Sequence, residues 1–361
     1  MNPIYTPILN AKQGEFDACE NLPDNTKNLI LPLFEVPVFT DQIKKQVAYR
    51  DSSTPKLKFV NDRMKKLVHS FGTNTIMLDI FHWAQNSVLE NGENVLSVAY
   101  NVLKSCGCEA IPVIGYDRWE DVDYFKTLEI LCAESNNVSL RLEAYAFEDM
   151  LDEDYFLDQI DEIIESLQIT PENCNVILDF NDVTETSIIT IQEKAERAIH
   201  LLTGYNFRFF SIVGCSISQM VNEMVSEIDS SGTIHRRELL AWKALRKSLP
   251  KVKLVLGDYG VVNPNVPEGI IAPHANGKIR YTIQERYFIA RGHSRQKGNK
   301  GEQMYDLAKM VVNSGYYMGD SFSWGDNKID MCRLKKIKGG LPQWVAYDTN
   351  HHIAYAVAEV Q

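Results

Sequence analysis

The sequence predicts an α/β protein with a TIM-barrel-like (β/α)8 fold and a C-terminal extension. Three observations lead there. Short apolar runs rich in β-branched and aromatic residues alternate with segments of helical period from the start of the chain to about Asp258. There are eight such runs, and eight βα units over ~250 residues is the usual size of this barrel. Several runs, among them IMLDI (76–80) and VILDF (176–180), are apolar without alternation, as strands covered on both faces of a parallel sheet are. A doubly wound open sheet is the alternative, but no strand followed by GxGxxG supports it.

In chain order the strands are expected at 4–9, 30–36, 75–81, 109–116, 138–144, 175–180, 207–214 and 252–258. Helices are expected between them. In 59–71, Phe59, Val60, Met64, Leu67, Val68 and Phe71 recur at helical spacing, and Phe156, Ile160, Ile163, Ile164 and Leu167 do the same in 154–167. Weaker helical patterns cover 14–22, 95–106, 120–133, 187–202, 217–228 and 236–249. Residues 1–258 therefore form the barrel, and 259–361 an extension packed on it as one domain. That extension starts with a loop carrying Pro264, Pro267 and Pro273. A helix over 302–314 is expected to close the barrel as its last helix. The closing QWVAYDTNHHIAYAVAEV reads as two short strands around Asp348, Thr349 and Asn350, a terminal β-hairpin.

The 361 residues are 45% hydrophobic and 24% charged, the composition of an ordinary globular chain. A formal charge of -11 argues against free DNA as a partner, because phosphate binding relies on Lys and Arg. The seven cysteines form no CxxC pair, which predicts reduced thiols and makes a structural zinc site improbable. No run approaches a membrane span and no signal peptide opens the sequence, so a cytoplasmic protein is expected. Between Leu142 and Glu193 there is no Lys or Arg, and the acids cluster in 148–165. That stretch is a solvated helix face or an acidic docking surface for a basic partner.

Barrel sites lie at the C-terminal ends of the strands. Lys12, Glu35, Asp79, Tyr116, Asp117, Glu143, Asp179, Asp182, Ser216 and Asp258 stand there. Convergent carboxylates suit Mg²⁺ or Mn²⁺, with Glu35, Asp79, Asp179 and Asp258 as oxygen ligands. They equally suit general acid/base chemistry by two carboxyls in unlike environments. They also suit plain structure, as helix caps or as partners of Arg141 and Lys12 inside the barrel. Arg141 and Glu143 share strand parity and point to one side.

The stretch KIRYTIQERYFIARG (278–292) and its tail gather Arg280, Arg286, Arg291, His293, Arg295, Lys297 and Lys300 against Glu285 alone. Tyr281, Tyr287 and Phe288 interleave with them, the pattern of a strip that holds an anion and stacks on a ring. Arg291 is expected to fold over the strand-end carboxylates. His351 and His352, read as neighbours on a strand, face opposite ways and make poor joint ligands.

YTPILNAKQGEF, LPLFEVP, VILDFND, GDY, RYTIQERYFIARG, GEQMYDLA, GYYMGDSFSWGDNKID and QWVAYDTNHHIAYAV, in this order, resemble the bacterial and phage beta protein family over nearly the whole chain. The matching motif positions are Lys12, Glu15, Glu35, Asp179, Asp258, Tyr259, Tyr281, Arg291, Gln303, Ser323, Gly325, Asp326, Trp344 and His352. The family is met in phages and mobile islands, often near antiviral genes. The resemblance therefore implies a component of an antiphage-defence or mobile-element conflict system, with a protein partner from a neighbouring gene.

Two readings stay open. In one, the barrel mouth binds an anionic ligand, such as a nucleotide, or a partner protein. Glu35, Asp179, Asp258 and Arg291 are the expected catalytic residues, and Lys12, Arg141, Tyr259, Tyr281, Arg286, Gln303, Asp326 and His352 contact the ligand. In the other, a metal-dependent phosphoesterase or nuclease uses the four carboxylates named above.

Overall fold

The computed structural model describes residues 2–84, 86–267 and 274–361. Pro273 lies outside the described residues, as does the side chain of Lys300.

All eight expected runs become parallel strands of a closed barrel. They are β1 (Tyr5–Asn10), β2 (Leu33–Glu35), β3 (Ile76–Asp79), β4 (Ala110–Gly115), β5 (Val138–Leu142), β6 (Cys174–Asp182) and β7 (Phe209–Cys215), with the closing strand following β8 (Ser230–His235) as β9 (Leu254–Asp258). β9 pairs with both β7 and β1 and so closes the ring. Strand parity separates two cores. Ile8, Leu33, Met77, Val113, Ile177, Val213 and Val255 fill the barrel. Leu9, Phe34, Leu78, Ile114, Leu140, Leu178, Ile212 and Leu256 point outward to the helices. Gly257 keeps the lumen narrow there: a Cβ on it would meet the Val213 side chain at 2.5 Å.

The helices of eight or more residues are α1 (Gln13–Glu20), α2 (Pro55–Phe71), α3 (Val95–Ser105), α4 (Val122–Glu134), α5 (Glu153–Ser166), α6 (Ile188–Leu202), α7 (Arg237–Ser248), α8 (Gln303–Val312), α9 (Trp324–Arg333) and α10 (Leu341–Val360). The basic aromatic stretch forms a hairpin, β10 (Asn276–Ile283) and β11 (Arg286–Ser294), and β8 adds to it as a third antiparallel strand. One face of this sheet sends Tyr287 and Ile289 into the barrel's inner core, and the other packs Ile279, Tyr281 and Phe288 against α8, α9 and α10.

Three expectations are corrected. The terminal hairpin is the 20-residue helix α10. Its β-branched and aromatic content reads as strand, but it holds no turn dipeptide. Its polar DTNHH is buried, each residue at most 1% exposed, and Asp348, Asn350, His351 and His352 hydrogen-bond to neighbouring elements. The helix expected to close the barrel, α8, instead rests on β10 and β11, while α10 packs on α1 and β1. Finally, the helix expected over 217–228 shrinks to Val221–Met224 and is followed by β8, a strand whose Gly232 hid it. No described helix is long and apolar enough to cross a membrane.

Candidate functional site

The lumen parity that places Leu33, Met77, Ser139 and Ile177 inside the barrel brings Glu35, Asp79, Arg141 and Asp179 inward one rung higher. Arg141 is fully buried at the centre of this ring. Its Nη1 donates to Glu35 Oε1 at 2.9 Å and to Asp79 Oδ2 at 2.7 Å. Its Nε and Nη2 donate to Asp179 Oδ2 at 2.9 and 2.6 Å. Tyr259 closes the ring, donating to Asp179 at 2.5 Å and accepting from Arg141 at 2.9 Å. The guanidinium also lies 4.3 Å from the centroid of the Phe81 ring. A second cation, Arg118, donates from Nη2 to both oxygens of Asp79 at 2.7 and 3.0 Å. His82 contacts Glu35 at 3.1 Å.

Glu143 differs from the others. Its Oε1 lies 2.8 Å from Arg141 Nε, yet it has no hydrogen-bond partner, because the single Nε hydrogen points to Asp179. Burial pushes its carboxyl up to about 8, against the pull of Arg141 and Arg118, with Asp117 and Asp179 adding repulsion. Glu35 goes the other way: burial would raise it, but Arg141 and His82 hold it down at about 2. One ring thus contains a carboxylic acid and a carboxylate set by unlike surroundings.

Above the ring is a cavity of about 350 Å³ lined by Asp117, Glu143 and Asp179, by Phe81, Tyr145, Phe147 and Phe180, and by Asn181, Thr186, Lys194 and Asn265. Phe147 and Phe180 stack at 4.6 Å. A neighbouring cavity of the same size shares Asp117 and Tyr145. The short helix Ala144–Asp149, directly after β5, carries Tyr145 and Phe147 to the rim.

Asp258 does not belong to this ring. It shares outward parity with Leu256 and faces α10, where it accepts from Tyr5 at 2.5 Å, from Gly260 N at 2.9 Å and from His352 Nε2 at 3.0 Å. Thr282 donates to His352 Nδ1 at 2.7 Å. Burial lowers the His352 pKa, and a neutral Nε2–H ring satisfies both contacts. Arg236, fully buried, stands 3.6 Å from Asp258 and pairs with Glu359 at 2.6 Å. The four proposed metal ligands therefore do not converge, and the Arg141 guanidinium fills the point that Glu35, Asp79 and Asp179 share. Among the described residues no group of three His, Cys, Asp or Glu side chains has the geometry of a metal site.

The other expected site residues lie outside the ring. Arg291 donates to the Val225 and Ser226 carbonyls at 2.8 and 2.6 Å rather than folding over the acids. Arg286 is exposed at the start of β11, cross-strand from His235. Tyr281 donates to Asp326 at 2.6 Å and stacks on His351 at 3.8 Å, in the core under α8–α10 and not in the lumen core. Asp326 also receives Ser323, the N-cap of α9, and His351 Nδ1 at 2.8 Å. The two histidines are neighbours on a helix, one bound to Asp326 and the other to Asp258, so opposite strand faces do not describe them. Gln303 accepts from Gly277 N at 3.2 Å, and Lys12 precedes α1 beside buried Glu15.

Arg118 and His82 are site residues that the sequence reading did not name, and Glu143 is one that it named without a ligand or catalytic role. Glu143 is visible as a strand-end acid. Arg118 leaves one trace: Gly115, where a Cβ would meet the Arg118 guanidinium at 2.2 Å.

Fold and site together define a closed (β/α)8-barrel protein with an arginine-centred carboxylate ring at its mouth. Of the motif positions read in the sequence, Glu35, Asp179 and Tyr259 lie in this ring, and Ser323, Gly325 and Asp326 lie at the α9–α10 contact. The chain belongs to the Beta protein family, whose model matches residues 5–358. A comparison with curated proteins finds no match.

Proposed function

We propose that the protein binds a small, polar, uncharged or cationic molecule at the barrel mouth, and that Glu143 exchanges a proton with it. The observation that carries this reading is the Arg141 ring opening on a cavity where Glu143, 12% exposed, is left without a hydrogen-bond donor. Asp117 and Asp179, with Glu35 and Asp79 behind them, outnumber Arg118, Arg141 and Lys194, so the mouth disfavours an anion. The aromatic walls and the amides of Asn181 and Asn265 suit the apolar faces and hydroxyl groups of a polyol or an aminated sugar. Calorimetry against monosaccharides, amino sugars and nucleosides tests it. Binding that persists in Glu143→Gln while turnover is lost supports the reading; no binding by any of these classes sinks it.

A second reading concerns a partner. Tyr145, Leu151 and Tyr155 are 64%, 79% and 49% exposed beside the acids of α5. Apolar anchors in an acidic field suit a basic protein, and a component of a cytoplasmic phage-conflict system would meet one there. Co-purification of a stoichiometric basic partner, abolished by reversing Asp152, Asp154 and Asp158, tests this reading; retention through the reversal counts against it.

A further inference from the structure

The cations of the β10–β11 hairpin are not spread over a surface. Asn276, Lys278 and Arg280 alternate along one face of β10, and Lys278 is directly cross-strand from Arg291. Like charges in that relation repel, and something must offset them. Arg291 is taken up by the two carbonyls described above. Arg280 donates to Asp348 at 3.0 Å and to the Val261 carbonyl at 2.5 Å. Among the described residues, neither Lys278 nor Arg295 forms an ion pair.

Lys278, Arg280 and Arg295 line a cavity of about 190 Å³. Burial, with Arg280 and Arg295 near, lowers the Lys278 amine to about 8. The other walls are Ser218 and Gln219 from the loop after β7, Val262 and Asn263 from the loop after β9, and Trp344 in the first turn of α10. β7 and β9 are the seventh and eighth strands of the barrel. Loops after those two strands, joined by a helix N-terminus, are where (β/α)8 barrels commonly hold phosphate. Here three cations and one acid, Asp348, add the charge such a site needs.

We propose that this cavity is an oxyanion site that holds a phosphate group, free or as a monoester, between Lys278, Arg280 and Arg295. It is separate from the mouth: the two cavities share no lining residue, and the mouth contains none of these three cations. The proposal does not depend on the function assigned to Glu143.

Calorimetry with inorganic phosphate and with adenosine monophosphate, against chloride at equal ionic strength, tests it. One-to-one binding is expected, weakened at least tenfold by Lys278→Met and by Arg295→Gln. Arg286→Gln, which removes an exposed cation from the same hairpin, is expected to leave affinity within twofold. Tighter binding of the ester assigns a monoester, and tighter binding of phosphate assigns the free anion. No saturable binding of either overturns the proposal, as does equal weakening by Arg286→Gln, the mark of diffuse surface charge. A measurement on the unaltered protein guards against variants that misfold. Phosphate is expected to slow reductive methylation of Lys278 at least fivefold, read by mass spectrometry, and an unchanged rate overturns the site.

Discussion

Glu143 and Asp179 meet on one nitrogen: Arg141 Nε lies 2.8 Å from Glu143 Oε1 and 2.9 Å from Asp179 Oδ2. One N–H serves one acceptor well, and Asp179 also receives Nη2 and the Tyr259 hydroxyl. Asp179 takes the hydrogen bonds, and Glu143 is left to hold a proton.

The pH dependence of stability follows from that sharing. Glu143 moves from an ordinary 4.5 to about 8 on folding, so above 4.5 the unfolded chain releases a proton that the folded chain keeps. Its contribution is fully present below 4.5 and is lost as pH rises through about 8. Glu143→Gln removes this component, since the amide cannot ionise. Denaturant midpoints of the two proteins measured from pH 4 to 9 are expected to diverge with rising pH, the variant gaining on the wild type. Glu238, raised to about 7 by burial, contributes a similar slope to both proteins and drops out of the difference. Parallel curves would mean that Glu143 is ionised in the fold.

Removing the central cation has the opposite character. Arg141→Met leaves Glu35, Asp79 and Asp179 buried around an uncharged side chain, and breaking a buried pair from one side typically costs about 3–5 kcal/mol. Urea unfolding at pH 7 is expected to register a loss of that order. A loss below about 1 kcal/mol would mean that water already shares the ring.

The barrel was legible because eight apolar runs can be recognised one at a time, each from its own composition. The ring was legible in part, since Glu35, Asp79 and Asp179 are strand-end acids and Arg141 shares parity with Glu143. What the sequence did not carry was sidedness at the last residue of each strand. Asp258 ends its strand as Asp79 does, but it is one residue out of lumen phase with Tyr259 and faces α10. The hairpin expected in 344–360 failed for a related reason. Asp348, Thr349 and Asn350 read as a turn, and His351 and His352 as strand neighbours, until Arg280, Gly325, Asp326 and Asp258 supply partners for Asp348, Asn350, His351 and His352 from distant parts of the chain.

That sidedness separates two acids that look alike in sequence. Asp258→Asn weakens the contacts to Tyr5, Gly260 and His352 outside the barrel, and a buried hydrogen-bonded group lost in this way costs about 1–3 kcal/mol. Asp179→Asn acts inside it, on Arg141 and Tyr259. Both variants are expected to be less stable, and only Asp179→Asn to lose binding of a mouth ligand in calorimetry. Equal loss of binding in both would return Asp258 to the site.

The C-terminal motif makes a packing prediction with its own control. At Gly325 a Cβ would stand 2.2 Å from the Tyr347 carbonyl oxygen and 3.0 Å from His351 N, so α9 and α10 meet backbone to backbone. Backbone cannot rotate away as a side chain can. Gly325→Ala must therefore push the helices apart, at a cost of roughly 1–3 kcal/mol or more for an overpacked contact. The shift would also strain the Asn350 bond to Gly325 N and the His351 bond to Asp326. Gly204 has open space around its would-be Cβ and no positive φ, so Gly204→Ala is expected to change stability by less than about 0.5 kcal/mol. Denaturant midpoints compare the pair directly. A Gly325 variant as stable as the Gly204 variant would show that α9 and α10 are not in backbone contact, and the buried Asp326–His351 pair would lose its structural explanation.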